Sequence, residues 1–206
     1  MQKTEIRSLY KQKRKELTNK QLAEVNNNLD NYFSLATDKD IDNGIAWYKQ
    51  AHYICKDLAE RYNTKLETVA SIISALSPRN RWPQNIKDTK TVLDAIHAGL
   101  EPDQVKVCTF NRNKEKAFLL GKEQTSITDK SLKTFSFVNN IAKLDNNYIT
   151  VDVWHLRACF GKTIKTNPSR KAYDQIRLLT IEKAKQRGLN GYEYQAIVWN
   201  AVKNNF

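Results

Sequence analysis

Lys133 and Asp152 are the residues of this chain whose types and spacing could support covalent chemistry. A lysine amine is a nucleophile only when neutral, and burial or a neighbouring cation favours that form. A carboxylate at the start of the next helix can converge on such an amine if the two helices run antiparallel. Asp152 has a plainer reading as well. An Asp directly in front of a helix accepts from its free N–H groups and caps it, and the residues alone leave both readings open.

The stretch from Ser131 to Gly161 supplies the elements that must position the pair. From Leu132 the apolar residues Phe135, Val138, Ile141 and Leu144 recur every three residues, as one face of a helix does. Asp145-Asn146-Asn147 breaks the pattern with turn residues. Tyr148 to Val151 is apolar and β-branched, and it delivers Asp152 in front of a second helical run, Trp154 to Ala158.

This pattern resembles the helix-hairpin-helix DNA glycosylases, the superfamily of endonuclease III and 8-oxoguanine glycosylase. In those enzymes a lysine just after the hairpin precedes, by a little under twenty residues, the Asp of a Val-Asp motif that opens a helix. Here Lys133-Thr134 and Val151-Asp152 place lysine and aspartate nineteen residues apart. The order of other segments is similar to the family too. An apolar helix, Leu66 to Leu76, ends in Leu76-Ser77 and opens into Pro78-Arg79-Asn80-Arg81-Trp82. The resemblance makes Arg79 the wedge that fills the gap left by an extruded base, with Asn80 and Arg81 beside it on the DNA. Asn111 and Arg112 occupy the family's turn before a Lys-Ala helix, and Lys130 and Ser131 its hairpin.

The hairpin departs from the family: Asp129 and Ser131 stand where two glycines are expected. A carboxylate facing a phosphate is unfavourable, so part of the hairpin's phosphate contact passes in this reading to Lys130 and other basic segments. Asp129 could instead cap the helix that carries Lys133. Trp82, Trp154 and His155 are the aromatic candidates for a base pocket. Trp82 reads equally as a core anchor, and His155 stands one place beyond the family's histidine, whose role is not carried over.

Composition sets the frame. The 206 residues carry a formal charge of +12 and a pI near 9.5, which points to a polyanionic partner. With 40% hydrophobic residues, six glycines and four prolines, the chain reads as all-α. Cys55, Cys108 and Cys159 form no CxxC motif and read as buried thiols in a reducing compartment; neither a metal site nor an iron–sulfur cluster is expected. No apolar run has transmembrane length, and Met1 to Lys20, with seven basic residues against two acids, is too charged for a secretory signal. It reads as a basic amphipathic helix on Ile6, Leu9, Tyr10, Lys13 and Leu17.

Further helices are expected over Ile45 to Tyr62 (with Trp47, Tyr48 and His52 in or near the core), Ile86 to Leu100, Tyr173 to Lys185 and Tyr192 to Val202. Asn26 to Asn28 and Thr37 to Asn43 read as loops, and Thr64 as the cap of the Leu66 helix. Lys162 to Arg187 holds eight basic residues against Asp174 and Glu182, a balance suited to tracking a phosphate backbone.

The expectation is an all-α, glycosylase-like helical core over residues 65–206 with a basic helical extension over residues 1–64, together one compact unit and a monomer. The resemblance implies a cofactor-free enzyme that excises a damaged or modified base from double-stranded DNA. Lys133 would form a Schiff base and Asp152 would stabilise the positive sugar. It would work in the cytoplasm on the nucleoid, or inside a host cell if virus-encoded. A DNA-binding module that kept the fold and lost the chemistry is the alternative, and a helical RNA-binding protein a third.

Overall fold

The computed structural model describes residues 16–162 and 168–205. Among these the chain is all-α, with nine α-helices, one short 3-10 turn at Pro102–Gln104 and no strand. The helices are α1 (Asn19–Ser34), α2 (Asp38–Arg61), α3 (Leu66–Leu76), α4 (Trp82–His97), α5 (Asn111–Lys122), α6 (Leu132–Lys143), α7 (Val153–Phe160), α8 (Arg170–Lys185) and α9 (Gly191–Asn204). The expected basic helix at the N-terminus lies outside the described residues up to residue 15, as does Lys165. No helix among the described residues is long and apolar enough to cross a membrane.

Two polar stretches that read as loops are helical. Asn26 to Asn28 lies inside α1, where Val25 and Leu29 are fully buried and the Asn28 amide donates to the Cys159 carbonyl at 2.9 Å. Packing of one face thus overrides the weak helix propensity of asparagine. Thr37 to Asn43 is the start of α2. The Thr37 amide donates to Asp40 Oδ2 at 3.0 Å and the Asp40 amide to Thr37 Oγ1 at 3.2 Å, a reciprocal cap. Asp38 and Asp40 sit in the first turn, where the helix dipole favours them.

The chain forms two compact units. One comprises the residues up to Lys49 and from Asp145 onwards; the other runs from Gln50 to Leu144. The division falls within α2 and after α6, so the expected boundary at residues 64 and 65 runs through the second unit.

In the first unit α9 packs on α1, α7 and α8. Tyr194, Ile197 and Val198 have no exposure, and Tyr194 donates to the Leu29 carbonyl at 3.1 Å while stacking on Phe33. The Tyr148–Val151 run is pinned from α8: Tyr173 Oη donates to the Ile149 carbonyl at 2.7 Å and accepts from the Val151 amide at 3.2 Å. That pinning delivers Asp152 to the start of α7.

The second unit is built around α3, whose residues from Thr68 to Leu76 are all buried. A helix buried on every side must be covered on every side, its Ser71 and Ser74 hydroxyls paired with neighbouring backbone, and α4, α5 and α6 pack on it. Its N-cap is Lys65, which makes no side-chain cap; the Thr64 hydroxyl bonds Gln124 instead. Cys55 and Cys159 are buried as expected, but Cys108 is exposed, because its backbone amide turns inward to Asp88 and leaves the side chain outside.

At Gly44 the backbone of α2 runs close against that of α9. A Cβ there would stand 2.7 Å from the Ile197 amide nitrogen and 2.9 Å from its Cα, backbone atoms that cannot swing aside. Gly44→Ala is expected to destabilise the chain by about 1–3 kcal/mol despite alanine's better helix propensity. Thermal unfolding measures this, and a melting temperature equal to or above wild type would contradict the close approach.

Candidate nucleic-acid interface

Hydrogen bonds set the direction of the helices around α3. Ser74 Oγ, near the end of α3, donates to the Thr134 carbonyl in the first turn of α6 at 3.1 Å, and Lys143 at the far end of α6 pairs with Glu67 at the start of α3. The loop after α3 turns straight into α4, and Arg79 in it stands over Phe110, the N-cap residue of α5. The N-terminal turns of α4, α5 and α6 therefore gather at the end of the second unit where α3 finishes. Each such turn carries unpaired N–H groups and the positive end of a helix dipole.

Most of the DNA-contact residues expected from the sequence meet at this end. Ser77 to Asn80 is a turn closed by the Asn80 amide on the Ser77 carbonyl at 3.1 Å, with Arg79 at φ +59°. The Arg79 guanidinium carbon lies 5.4 Å from the Phe110 ring centre and that of Arg112 lies 5.7 Å from it. Phe110 is 42% exposed, so the two arginines flank an aromatic ring open to solvent. Arg81, Asn111, Lys130 and Ser131 are exposed as well. No ion pair neutralises Arg79, Arg81, Arg112 or Lys130 among the described residues.

Asn80 does not face outwards. Its amide donates to Asp88 Oδ2 at 2.8 Å, and the same carboxylate accepts from Gln84 at 2.7 Å and from the Cys108 amide at 2.9 Å. Asp88 thereby joins the loop after α3, the body of α4 and the segment before α5. Asn80 positions the loop through that carboxylate. Trp82 is half-buried in the first turn of α4.

Lys133 is half-buried in the first turn of α6, directly after the hairpin, with no hydrogen bond or ion pair among the described residues. The hairpin itself is a turn closed by the Ser131 amide on the Thr128 carbonyl at 3.3 Å, and Ile127 anchors it by donating to Ser71 Oγ at 3.0 Å. Ser131 is the N-cap of α6 without a side-chain cap; its carbonyl accepts from the Thr134 hydroxyl at 3.0 Å, and the two hydroxyls bond each other at 2.7 Å.

The remaining candidates belong to the first unit. Asp152 is the N-cap of α7, its Oδ1 accepting from the Trp154 amide at 3.0 Å and the His155 amide at 2.8 Å. Burial pushes the Tyr48 phenol up, and the Asp152 and Tyr173 groups push the same way, against a hydrogen bond with Thr150. Trp154 is half-buried under the Arg157 guanidinium. His155 turns inward rather than towards a pocket: it has no exposure, and its Nε2 lies 3.0 Å from Thr180 Oγ1. Thr180 gives its own proton to the Ile176 carbonyl at 2.8 Å, so the ring must donate from Nε2, and its buried Nδ1 has no partner. Among the described residues no group of three His, Cys, Asp or Glu side chains could hold a metal ion.

The chain matches the model of a family of unknown function, DUF7178, over residues 11–206. It belongs to that family. No curated protein and no solved structure matches this DUF7178 chain.

The reading of the sequence gives neither Phe110 nor Asp88 a role in the site. Phe110 had a signal, an aromatic in a polar, basic run (Thr109 to Lys116). Asp88 had none, being one acid among the polar residues of an amphipathic helix.

His155 supplies a pH dependence. Burial lowers its pKa to about 4 from an ordinary 6.5, so the folded ring stays neutral where the unfolded one takes up a proton. Stability is therefore complete above pH 6.5, declines as the pH falls from there to about 4, and changes no further through this group below that. The full loss is roughly 3 kcal/mol. Denaturant unfolding across this range should show the decline in wild type and a flatter profile in His155→Gln; identical profiles would assign the dependence elsewhere.

Proposed function

We propose that this DUF7178 protein is a DNA glycosylase with associated lyase activity, binding duplex DNA through the α3-end of its second unit. The observation that carries the reading is Lys133. The residue is half-buried, its amine without a protein partner among the described residues, in the first turn of the helix that follows the hairpin. The same end of the unit carries Arg79, Arg81, Arg112 and Lys130. The positive end of a helix dipole is a suitable place for an anion.

In this reading the Lys133 Nζ lone pair attacks C1′ of an extruded nucleotide. The C1′–N bond breaks, and its electron pair leaves with the base, which takes up a proton. Loss of the amine proton and opening of the sugar ring at O4′ give an imine. Removal of a C2′ proton then expels the 3′-phosphate by β-elimination, and water hydrolyses the imine to restore the lysine. The arginines neutralise phosphates, and Arg79 with Phe110 can occupy the space of an extruded base.

Asp152 enters through the Val151-Asp152 resemblance, and it belongs to the other unit. Its cap on α7 gives a specific reason to keep the acid without chemistry, which favours the second reading, a DNA-binding module with no turnover. Asp152→Asn separates the two, since asparagine caps a helix about as well as aspartate.

Borohydride trapping on duplex DNA with one abasic site tests Lys133. Wild type should form a covalent complex and Lys133→Gln none, with duplex affinity changed less than about threefold, since the substitution removes at most one cation from the phosphate backbone. Trapping of Lys133→Gln at the wild-type level would sink the assignment. On duplexes each carrying one modified base, Asp152→Asn should lower excision by about a hundredfold or more while leaving the melting temperature within a degree or two. Unchanged excision would restrict Asp152 to capping.

A further inference from the structure

Arg157 is a cation set on an indole ring. It stands on α7, half-buried, with its guanidinium carbon 4.4 Å from the centre of the Trp154 ring. Its Nε–H is closed off from solvent and has no acceptor. No carboxylate pairs with the guanidinium among the described residues. On the same face of the first unit Lys203, exposed in the last turn of α9, holds its Nζ 4.0 Å from the Trp199 ring centre and 6.0 Å from that of Trp154. Lys203 also lacks an ion pair among the described residues. The result is a run of alternating cations and indoles, Arg157–Trp154–Lys203–Trp199.

Stability does not account for this arrangement. A cation gains from an indole face, but a partly buried guanidinium with an unmatched donor carries a desolvation cost that an apolar side chain covering Trp154 would not. Stacking does have one further effect: it fixes the guanidinium plane and leaves its edge N–H groups for an external oxyanion. Lys203 adds a second positive charge beside the same ring. The missing partner is an anion that the described residues do not supply.

We propose that the Arg157–Trp154–Lys203–Trp199 cluster is a contact for backbone phosphates of a nucleic acid, separate from the arginine-rich end of the second unit. The inference rests on the DNA-binding part of the reading above. A strand of phosphodiesters is favoured over a single small anion by the formal charge of +12, which suits a polyanion.

The salt dependence of duplex binding by the whole chain tests it, with wild type, Arg157→Gln, Lys203→Gln, the double variant and Arg157→Lys compared by fluorescence anisotropy. Each cation withdrawn from a phosphate should reduce the slope of log affinity against log salt by about 0.9, so the slope of the double variant should fall by about 1.8. Arg157→Lys should keep the wild-type slope and bind more weakly, since it retains the charge and loses the fork. Without DNA, Arg157→Gln should melt at or above the wild-type temperature, which a structural role would not allow. If it melts well below, the exposed Lys203→Gln alone decides the matter by its slope. Slopes equal to wild type in Lys203→Gln and in the double variant overturn the inference. Protection of wild type by inorganic pyrophosphate, absent in Arg157→Gln while the DNA slopes stay equal, overturns it in favour of a small-anion site. If wild type fails to bind the duplex, the DNA-binding reading falls first and this inference with it.

Discussion

Asp88 is 3% exposed and accepts from Asn80, Gln84 and the Cys108 amide, with no cation against it among the described residues. A carboxylate removed from water is costly unless hydrogen bonds replace its hydration. Here three neutral donors do so, and they come from three segments. The loop after α3, α4 and the segment before α5 are held in one relation by a single charge. Arg79 and Phe110 face each other because their backbones are anchored, through Asn80 and Cys108, to that carboxylate. The buried, unpaired group is negative; the exposed, unpaired groups around it are positive. The charge contrast of this end of the unit is therefore built into its scaffold.

The positive charge of the chain is of two kinds. Some cations are spent on structure: Lys183 and Arg187 both bond Asp30, and Arg187 also stacks on Phe33 and Tyr194. Burial works to raise the Asp30 carboxyl, but the hydrogen bonds to Lys183 and Arg187 outweigh it and hold the group below its usual range. Lys49 with Glu193 and Lys122 with Glu101 tie helices to neighbouring segments in the same way. Other cations have no carboxylate among the described residues and stand beside aromatic rings instead, Arg79 and Arg112 at Phe110, Arg157 at Trp154, Lys203 at Trp199. Net charge alone could not have drawn that distinction. Placement does, because a cation paired inside the fold is already neutralised and one set on a ring keeps its charge outward.

What the sequence made legible was whatever depends on local pattern. The three-residue recurrence from Leu132 is α6, the apolar run from Leu66 is the buried α3, and Asp152 in front of Trp154 is the cap of α7. Composition misled where it was read as local structure. Asn26 to Asn28 and Thr37 to Asn43 are polar and helical, because one is held by a buried face and the other by a reciprocal cap. His155 looked like a candidate for a pocket by its neighbours in sequence. Its place is decided by Thr180, twenty-five residues away, which no local pattern encodes. The hairpin was legible as a turn. That Ser131 would be the N-cap without capping by its side chain was not, since Thr134 competes for both of its oxygens.

Arg79 ties the scaffold to the site. The turn from Ser77 to Asn80 has Pro78 at its second position and a positive φ at its third, the type II pattern, in which glycine is the unstrained choice at the third position. An L-residue there costs about 1 kcal/mol. The turn is closed by its own hydrogen bond and anchored by Asn80 on Asp88, so the strain is imposed by bonds that would serve equally well with glycine at position 79. What glycine could not supply is the guanidinium that this backbone aims across Phe110. The strained position thus carries a side chain that adds no core packing and no ion pair among the described residues, and that holds its positive charge beside the exposed Phe110 ring.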